Sequence, residues 1–263
     1  MNSAQAGALA ATITVPIAMA LLAKAFPAKS SPQSAATLES LKRKYAKWEN
    51  RLKFVYLALW VPVTAAIWLP LQTISDWHGQ LLSPAESRIT PGPIFWFIPA
   101  FFLALVLSAM PLAWLTKKWL GPNFHEYETY IRLKTKYDID RVNRSLYWIV
   151  GVLFTLAVFL GLDWYVLVRA DALVVNPLLG FGETVHPYTD VITIQTAPRL
   201  IAPNGNIVWR REFVVRFRDG QTWSTNSIPA NMREAEKREL ATLISKRSGT
   251  PIEEIAVFQK DAL

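Results

Sequence analysis

Few residues in this sequence are suited to metal or acid–base chemistry. His125 is followed by Glu126, as in the zinc-binding pattern His-Glu-x-x-His, but Thr129 stands where the second histidine is needed. That pattern depends on two imidazoles one helical turn apart. His78 and His186 lie far apart in the sequence and have no cluster of carboxylates beside them. The sequence therefore predicts no metal site and no cofactor.

Other catalytic patterns are also missing from the sequence. There is no cysteine, which excludes thiolate catalysis and thiolate metal sites. No glycine-rich phosphate loop follows a strand, and no Gly-x-Ser-x-Gly elbow occurs. Asp163 borders an apolar stretch, where an interfacial carboxylate is favoured over a proton or ion relay. We therefore predict no catalytic residue and do not favour an enzyme.

A candidate binding surface combines arginine with tryptophan near the end of the chain. A guanidinium beside an indole suits an acidic peptide or a lipid headgroup, and a solvated sheet face is the alternative. From residue 169 onward, twelve basic residues face eleven acidic ones, so nucleic-acid binding is not favoured. The predicted binding residues are Trp209, Arg210, Arg211, Arg218 and Trp223.

Long stretches without charged residues indicate the secondary-structure elements of the first two-thirds of the chain. The chain is 52% hydrophobic and 18% charged, with eleven tryptophans, several of them near the ends of apolar runs. A helix crossing about 30 Å of hydrocarbon needs roughly 20 apolar residues. The first run has no basic residue before it, so we favour a retained span over a cleaved signal peptide. We predict about four transmembrane helices, at 6–23, 54–71, 94–115 and 146–162.

The loops between these runs differ in charge. Residues 27–53 contain seven Lys and Arg, residues 116–145 contain seven more, and residues 72–93 contain only Arg88. Basic loops stay in the cytoplasm. The sequence therefore predicts a multi-pass protein of the bacterial inner membrane, with the 72–93 loop and the C-terminal domain outside the cytoplasm.

The first basic loop has the periodicity of an amphipathic helix that continues into the second span without a breaker. It either lies on anionic lipid or packs against a similar segment that contains Phe124, Tyr127 and Ile131. Its apolar stripe is Leu38, Leu41, Tyr45, Trp48 and Leu52.

The last third has the pattern of a small α+β domain, so we divide the chain into a membrane domain, 1–168, and a soluble domain, 169–263. Short apolar strands alternate with Asn204-Gly205 and Asp219-Gly220, which are typical of tight hairpin turns. This predicts an antiparallel meander of four to six strands. We expect one core containing Val174, Ile192, Val214, Phe217, Leu240 and Ile244.

One helix is expected to close the meander. Ser227 or Ile228 is predicted to cap it, Pro229 suits its first turn, and Gly249 is predicted to end it.

The strand order resembles that of a known family. The segments 172–177, 182–194 and 213–223, followed by a helix that ends at Gly249, resemble the pleckstrin-homology-like domains of bacterial membrane proteins. The resemblance covers about 171–251 and implies a binding or scaffolding module. The family's phosphoinositide-binding loop is not carried over, because no dense Lys/Arg cluster lies between the first strands.

The expected function follows from these features together. We expect a non-enzymatic membrane scaffold or accessory subunit whose soluble domain binds a membrane-protein partner or an anionic lipid. The alternative is a small transporter or membrane-embedded enzyme that uses polar residues between the helices.

Overall fold

The structure is a computed structural model, and its contacts divide the chain into two compact units. The helical unit holds the described residues up to Ile67 together with Ala100–Phe154, and the sheet unit holds Trp68–Pro99 and the described residues from Thr155 onward. The domain boundary at residue 168 stays a prediction. The structure describes residues 21, 24–27, 35–81, 85–135, 137–180, 182–201, 205–230 and 232–259.

Helices make up the first two-thirds of the described chain. Pro111 has no backbone N–H to donate to the preceding turn, and a break separates two of the helices at Ser108. Gly121, with φ +51°, ends the second of these. The helices are α1 (Ala35–Leu81), α2 (Pro93–Leu107), α3 (Ala109–Leu120), α4 (Phe124–Lys134) and α5 (Ile139–Asp163).

Three helical segments of the described chain are long and apolar enough to cross a membrane, and few of their side chains are buried. The predicted spans 54–71, 94–115 and 146–162 fall within them. The predicted span 6–23 lies outside the described residues, apart from Leu21. The segments are Leu38–Leu81, Pro93–Lys134 and Ile139–Asp163.

The amphipathic helix is confirmed as the first part of α1, which runs without a break through 47 residues. Leu41, Tyr45 and Leu52 are buried. Helix α4 packs against this stripe through Tyr130, which is 1% exposed, and Tyr127. Of the two alternatives, packing of the two basic segments against each other is therefore confirmed.

The strands of the sheet unit form two sheets. The first is antiparallel, in the order β1-β2-β3-β4. Its strands are β1 (Ser87–Ile89), β2 (Tyr165–Val168), β3 (Ala172–Asn176) and β4 (Thr184–Pro187).

The second sheet has the order β7-β6-β5-β8, and β9 also pairs with β5. Asp219-Gly220 makes the predicted hairpin turn between β6 and β7, with Gly220 at φ +84°. Helix α6 (Glu234–Ser248) packs on this sheet. The strands are β5 (Val191–Ile201), β6 (Ile207–Phe217), β7 (Thr222–Ser224), β8 (Ile252–Glu254) and β9 (Phe258–Gln259).

The predicted single core needs correction. Phe217, Leu240 and Ile244 lie in the main cluster, but Val174 and Val214 belong to two separate clusters. Ile192 is 51% exposed. A register shift between Val191 and Thr193 interrupts the alternation of side chains at that point.

The predicted start of the closing helix is also wrong. Ile228 is 3% exposed and packs in the main core, and the carbonyl of Pro229 accepts a hydrogen bond from the backbone N–H of Gly92. Helix α6 begins at Glu234 instead, where the Glu236 carboxylate accepts the Arg233 backbone N–H at 2.9 Å. Its predicted end at Gly249 is confirmed, with φ +71°.

Candidate binding surface

The β5–β6 ribbon extends past the core of the sheet unit. Each strand has 11 residues, or about 36 Å at 3.3 Å per residue. Side chains of β6 are buried from Glu212 to Val215 and again at Phe217. Towards the turn, Ile207 pairs with Ile201 and Val208 pairs with Leu200. Strand β9 also pairs with β5 here, at Leu200 and Ile201, so β6 is the outer strand of this end of the ribbon, which we call the projection.

The β6 side of this projection is apolar and exposed. Ile207, Val208 and Trp209 are 55%, 41% and 73% exposed. Because consecutive side chains of a strand point to opposite faces, both faces of β6 are open here. Isolated exposed apolar residues are ordinary, but contiguous apolar exposure marks interaction sites.

An arginine lies on the most exposed of these side chains. Arg199 and Trp209 are paired across the ribbon, and the guanidinium carbon is 4.3 Å from the indole ring centroid. At an exposed site such a cation–π contact contributes about 0.5–1 kcal/mol. The contact favours one orientation of the indole, and Trp and Arg are among the residue types that most often dominate binding energy at protein interfaces.

The outer backbone edge of β6 is also open near the turn. Strand β7 pairs with β6 only from Val214 to Arg216, and Thr225 adds hydrogen bonds to Phe213. In the described chain, no backbone group hydrogen-bonds the outer edge between Ile207 and Glu212. A bare, apolar strand edge is a template for another strand.

The structure does not gather all the predicted binding residues in this place. Trp209 is at the projecting end, and Arg211, with its side chain 26% exposed, has Nε 3.6 Å from a Glu234 oxygen. Arg210 lies between them in β6, and its side chain is outside what the structure describes.

The other two predicted residues are elsewhere in the sheet unit. Arg218 follows the opposite end of β6, about 30 Å along the strand from Trp209, and its guanidinium is 3.8 Å from Asp190. Trp223 is 4% exposed and packs in the main core. The binding role of the five residues stays a prediction.

Sequence reasoning missed Arg199, Ile207 and Val208 as parts of this surface. The pairing of Arg199 with Trp209 was not accessible, because a two-residue Asn204-Gly205 turn places Arg199 opposite Arg210, and a register shift between Ala197 and Arg199 changes the partner. The exposure of Ile207 and Val208 was not accessible, because alternation gives no measure of where a core ends.

Neither catalytic nor metal chemistry is evident at this surface. Its chemical resources are an apolar face, a stacked Arg–Trp pair and unpaired backbone groups. Within the described residues, no group of three or more His, Asp or Glu could hold a metal ion. Comparison with family models, curated proteins and solved structures found no match, so the function is argued from this chain's own residues.

Proposed function

We propose that this protein is a non-enzymatic integral membrane scaffold or accessory subunit. Its sheet unit docks an extended segment of a partner membrane protein along the outer edge of β6. The open backbone edge from Ile207 to Glu212, with the stacked Arg199–Trp209 pair beside it, carries the proposal. Strand addition draws affinity from backbone hydrogen bonds and specificity from alternate side chains.

Charge favours a protein over a lipid surface as the occupant. A polybasic surface gains about 1 kcal/mol per Lys or Arg near an anionic leaflet. The chain from residue 169 onward has only one more basic than acidic residue, twelve against eleven. The net charge is too small for strong attraction to an anionic membrane, whereas the open backbone groups of the edge can hydrogen-bond a polypeptide.

The apolar helices argue against coupled transport or membrane-embedded catalysis. Residues 54–71, 94–115 and 146–162 contain no charged side chain. Proton relays and ion pathways usually contain ionisable residues at membrane depth. A scaffold needs none.

We further propose that residues 171–251 form a pleckstrin-homology-like module. The meander of antiparallel strands followed by α6 supports this assignment. A module of this kind acts as a binding platform, in agreement with docking on β6.

The proposed location is the bacterial inner membrane, with the sheet unit outside the cytoplasm. The seven basic residues in each of the two flanking loops support this orientation. The pairing of β1 with β2 requires residues 87–89 and 165–168 to lie on one side of the membrane, and the loop charges favour the outer side. Alkaline phosphatase fused after Leu263 should be active, since it needs an oxidising compartment. An inactive fusion together with a fluorescent cytoplasmic reporter contradicts this orientation.

The docking proposal is tested by placing a charge on the edge. Val208→Lys should remove a higher-mass complex that the full-length protein forms in native membranes, because edge lysines block strand addition. The matched control is Val185→Lys, since Val185 is 52% exposed on β4, an edge strand of the other sheet. Complexes extracted in mild detergent are compared by native gel electrophoresis.

A photo-crosslinker in place of Trp209 identifies what covers the edge. One protein adduct, absent when the crosslinker replaces Val185, supports the proposal. Lipid adducts alone at position 209, or a complex that survives Val208→Lys, contradict it.

A further inference from the structure

Two adjoining cavities of the helical unit meet where α3, α4 and α5 converge. One has a volume of about 390 Å³ and a charged lining, and the other a volume of about 310 Å³ and a mostly apolar lining. They share Arg132, Ile139 and Asp140. The shared residues make one continuous site, polar at one end and apolar at the other.

The polar end carries three arginines against two aspartates. Arg132 Nη2 is 2.9 Å from an Asp140 oxygen, and Arg141 Nε is 3.5 Å from an Asp138 oxygen. Arg144 also lines this cavity and makes no ion pair with any described residue. Exposed ion pairs contribute about 0–1 kcal/mol, so the paired guanidiniums can be shared with a bound anion at little cost.

The apolar end is a groove between helices. Leu112 and Ala113 of α3 face Tyr127 and Ile131 of α4 across it, with Ile139 of α5 at the shared boundary. The Thr116 hydroxyl, which could have made the groove polar, donates to the Leu112 carbonyl at 2.7 Å. Glu128 is the acidic residue on this lining apart from Asp140, and it is bonded to His125 Nδ1 at 3.2 Å.

The site lies at the boundary of the apolar segments. Arg144 precedes the 146–162 segment by two residues, about 3 Å of helix, and Arg141 precedes it by about 7.5 Å. Leu112 and Ala113 belong to the last turn of the 94–115 segment. The arginines are thus at the level of lipid headgroups, and the groove is at the edge of the hydrocarbon.

We propose that this site binds one anionic phospholipid, with its phosphodiester on Arg144 and Arg132 and the first part of an acyl chain in the groove. Arginine is the preferred partner of phosphate oxygens. Basic pockets between membrane helices at the interface are suited to anionic headgroups. The polar end carries a net charge of one positive unit, three Arg less two Asp, which disfavours a lipid with a compensating ammonium group.

The headgroup contact is tested on the full-length protein in detergent by native mass spectrometry. Phosphatidylglycerol should be retained as one adduct in preference to phosphatidylcholine and phosphatidylethanolamine. Arg144→Gln should weaken retention about tenfold, the size expected for one charge-assisted contact. Arg43→Gln is the control, because Arg43 is exposed on α1 away from the site. Equal retention of all three lipids, or equal loss in both variants, overturns the proposal.

The acyl-chain contact is tested by filling the groove. Ala113→Phe should also abolish the adduct, whereas Ala58→Phe, at an exposed alanine of α1, should leave it intact. Glycerol 3-phosphate supplies the same phosphate without a chain, and it should not displace the lipid. Displacement by glycerol 3-phosphate, or full retention in Ala113→Phe, shows that no chain is held and overturns the lipid assignment.

Discussion

The buried side chains of the sheet unit differ in kind from those of the helical unit. In the sheet unit, Leu173, Ile194 and Val215 are fully buried in an apolar cluster. In the helical unit, the contact between α1 and α4 is centred on Tyr45 and Tyr130, each 1% exposed, whose hydroxyls donate to carboxylates. The sheet unit relies on apolar burial, and the helical unit combines aromatic packing with hydrogen bonds.

The difference follows from the surroundings of each unit, which are water for the sheet unit and lipid for the apolar helices. A water-soluble core gains about 25 cal/mol for every Å² of apolar surface removed from water. Between helices in lipid this gain is missing, and packing and hydrogen bonds decide which helices associate. The charged parts of α1 and α4 supply such contacts, so they can fix the arrangement of helices whose apolar faces are largely open.

The largest expected effect comes from the apolar core of the sheet unit. Phe217→Ala removes a ring that is 1% exposed and should cost about 3–5 kcal/mol of unfolding free energy. Ile192→Ala is the control, since that side chain is 51% exposed and its loss should cost under about 0.5 kcal/mol. Denaturant titration of the full-length protein in detergent measures both. Equal losses of unfolding free energy in the two variants contradict the placement of Ile192 outside the core.

Packing of an apolar helix is tested by two glycines of α5. A Cβ at Gly161 clashes with ring atoms of Phe95 and lies 2.7 Å from a ring atom of Trp96, whereas nothing lies within 4 Å of a Cβ at Gly151. Gly161→Ala should therefore cost about 1–3 kcal/mol through overpacking. Gly151→Ala should be neutral or slightly stabilising. Thermal unfolding in detergent compares the variants, and identical melting temperatures contradict close packing at Gly161.

The polar contacts of the helical unit predict a smaller loss. The Glu49 carboxylate accepts from Lys134 at 2.6 Å and from Tyr130 at 3.0 Å. Glu49→Gln removes the charge from both contacts and should cost about 1–2 kcal/mol. Glu39→Gln should cost almost nothing, because the Glu39–Lys42 pair is highly exposed and 3.9 Å long. A loss as large as that of Phe217→Ala contradicts the contrast between the units.

The smallest effect is a pH dependence confined to the sheet unit. His186 is 4% exposed and stacks on Phe217 at 4.0 Å; burial lowers its pKa, and Asp219 and Asp190 oppose the shift. The unfolded chain then binds more protons, so stability falls as pH drops through about 6.5 towards the lower folded-state pKa, by at most about 1.4 kcal/mol per pH unit. His186→Gln should abolish this slope between pH 7 and 5 in denaturant titrations. An unchanged slope assigns it to other groups.

Elements with a local sequence pattern could be predicted from the sequence, whereas strands that depend on long-range pairing could not. The stripe Leu41, Tyr45 and Leu52 repeats at helical spacing, so α1 and its buried face were predictable. The β5–β6 and β6–β7 hairpins were predictable because Asn-Gly and Asp-Gly dipeptides are typical of tight turns. Gly205 and Gly220 of these dipeptides adopt positive φ in the structure.

The first two strands were not predictable. Ser87–Ile89 has three residues and begins three residues after Pro84, so nothing local favours a strand. Tyr165–Val168 continues the apolar run of α5, which hides the change of period. Only their pairing makes them strands, and that information lies far apart in the sequence. The open edge of β6 was equally hidden, because it depends on where β7 stops.

Strand β1 also sets an order of events during synthesis. Ile89 pairs with Val166, 77 residues later in the chain (166 less 89), so the first sheet cannot close until two further apolar segments have been made. At 5–20 residues per second this synthesis takes about 4–15 s, and β1 has no partner strand during that time. A fragment that begins at Asp171 lacks both β1 and β2 and leaves β3, with the fully buried Leu173, bare along one side. Expression of the sheet unit by itself therefore requires a linked copy of residues 85–92 ahead of Trp164.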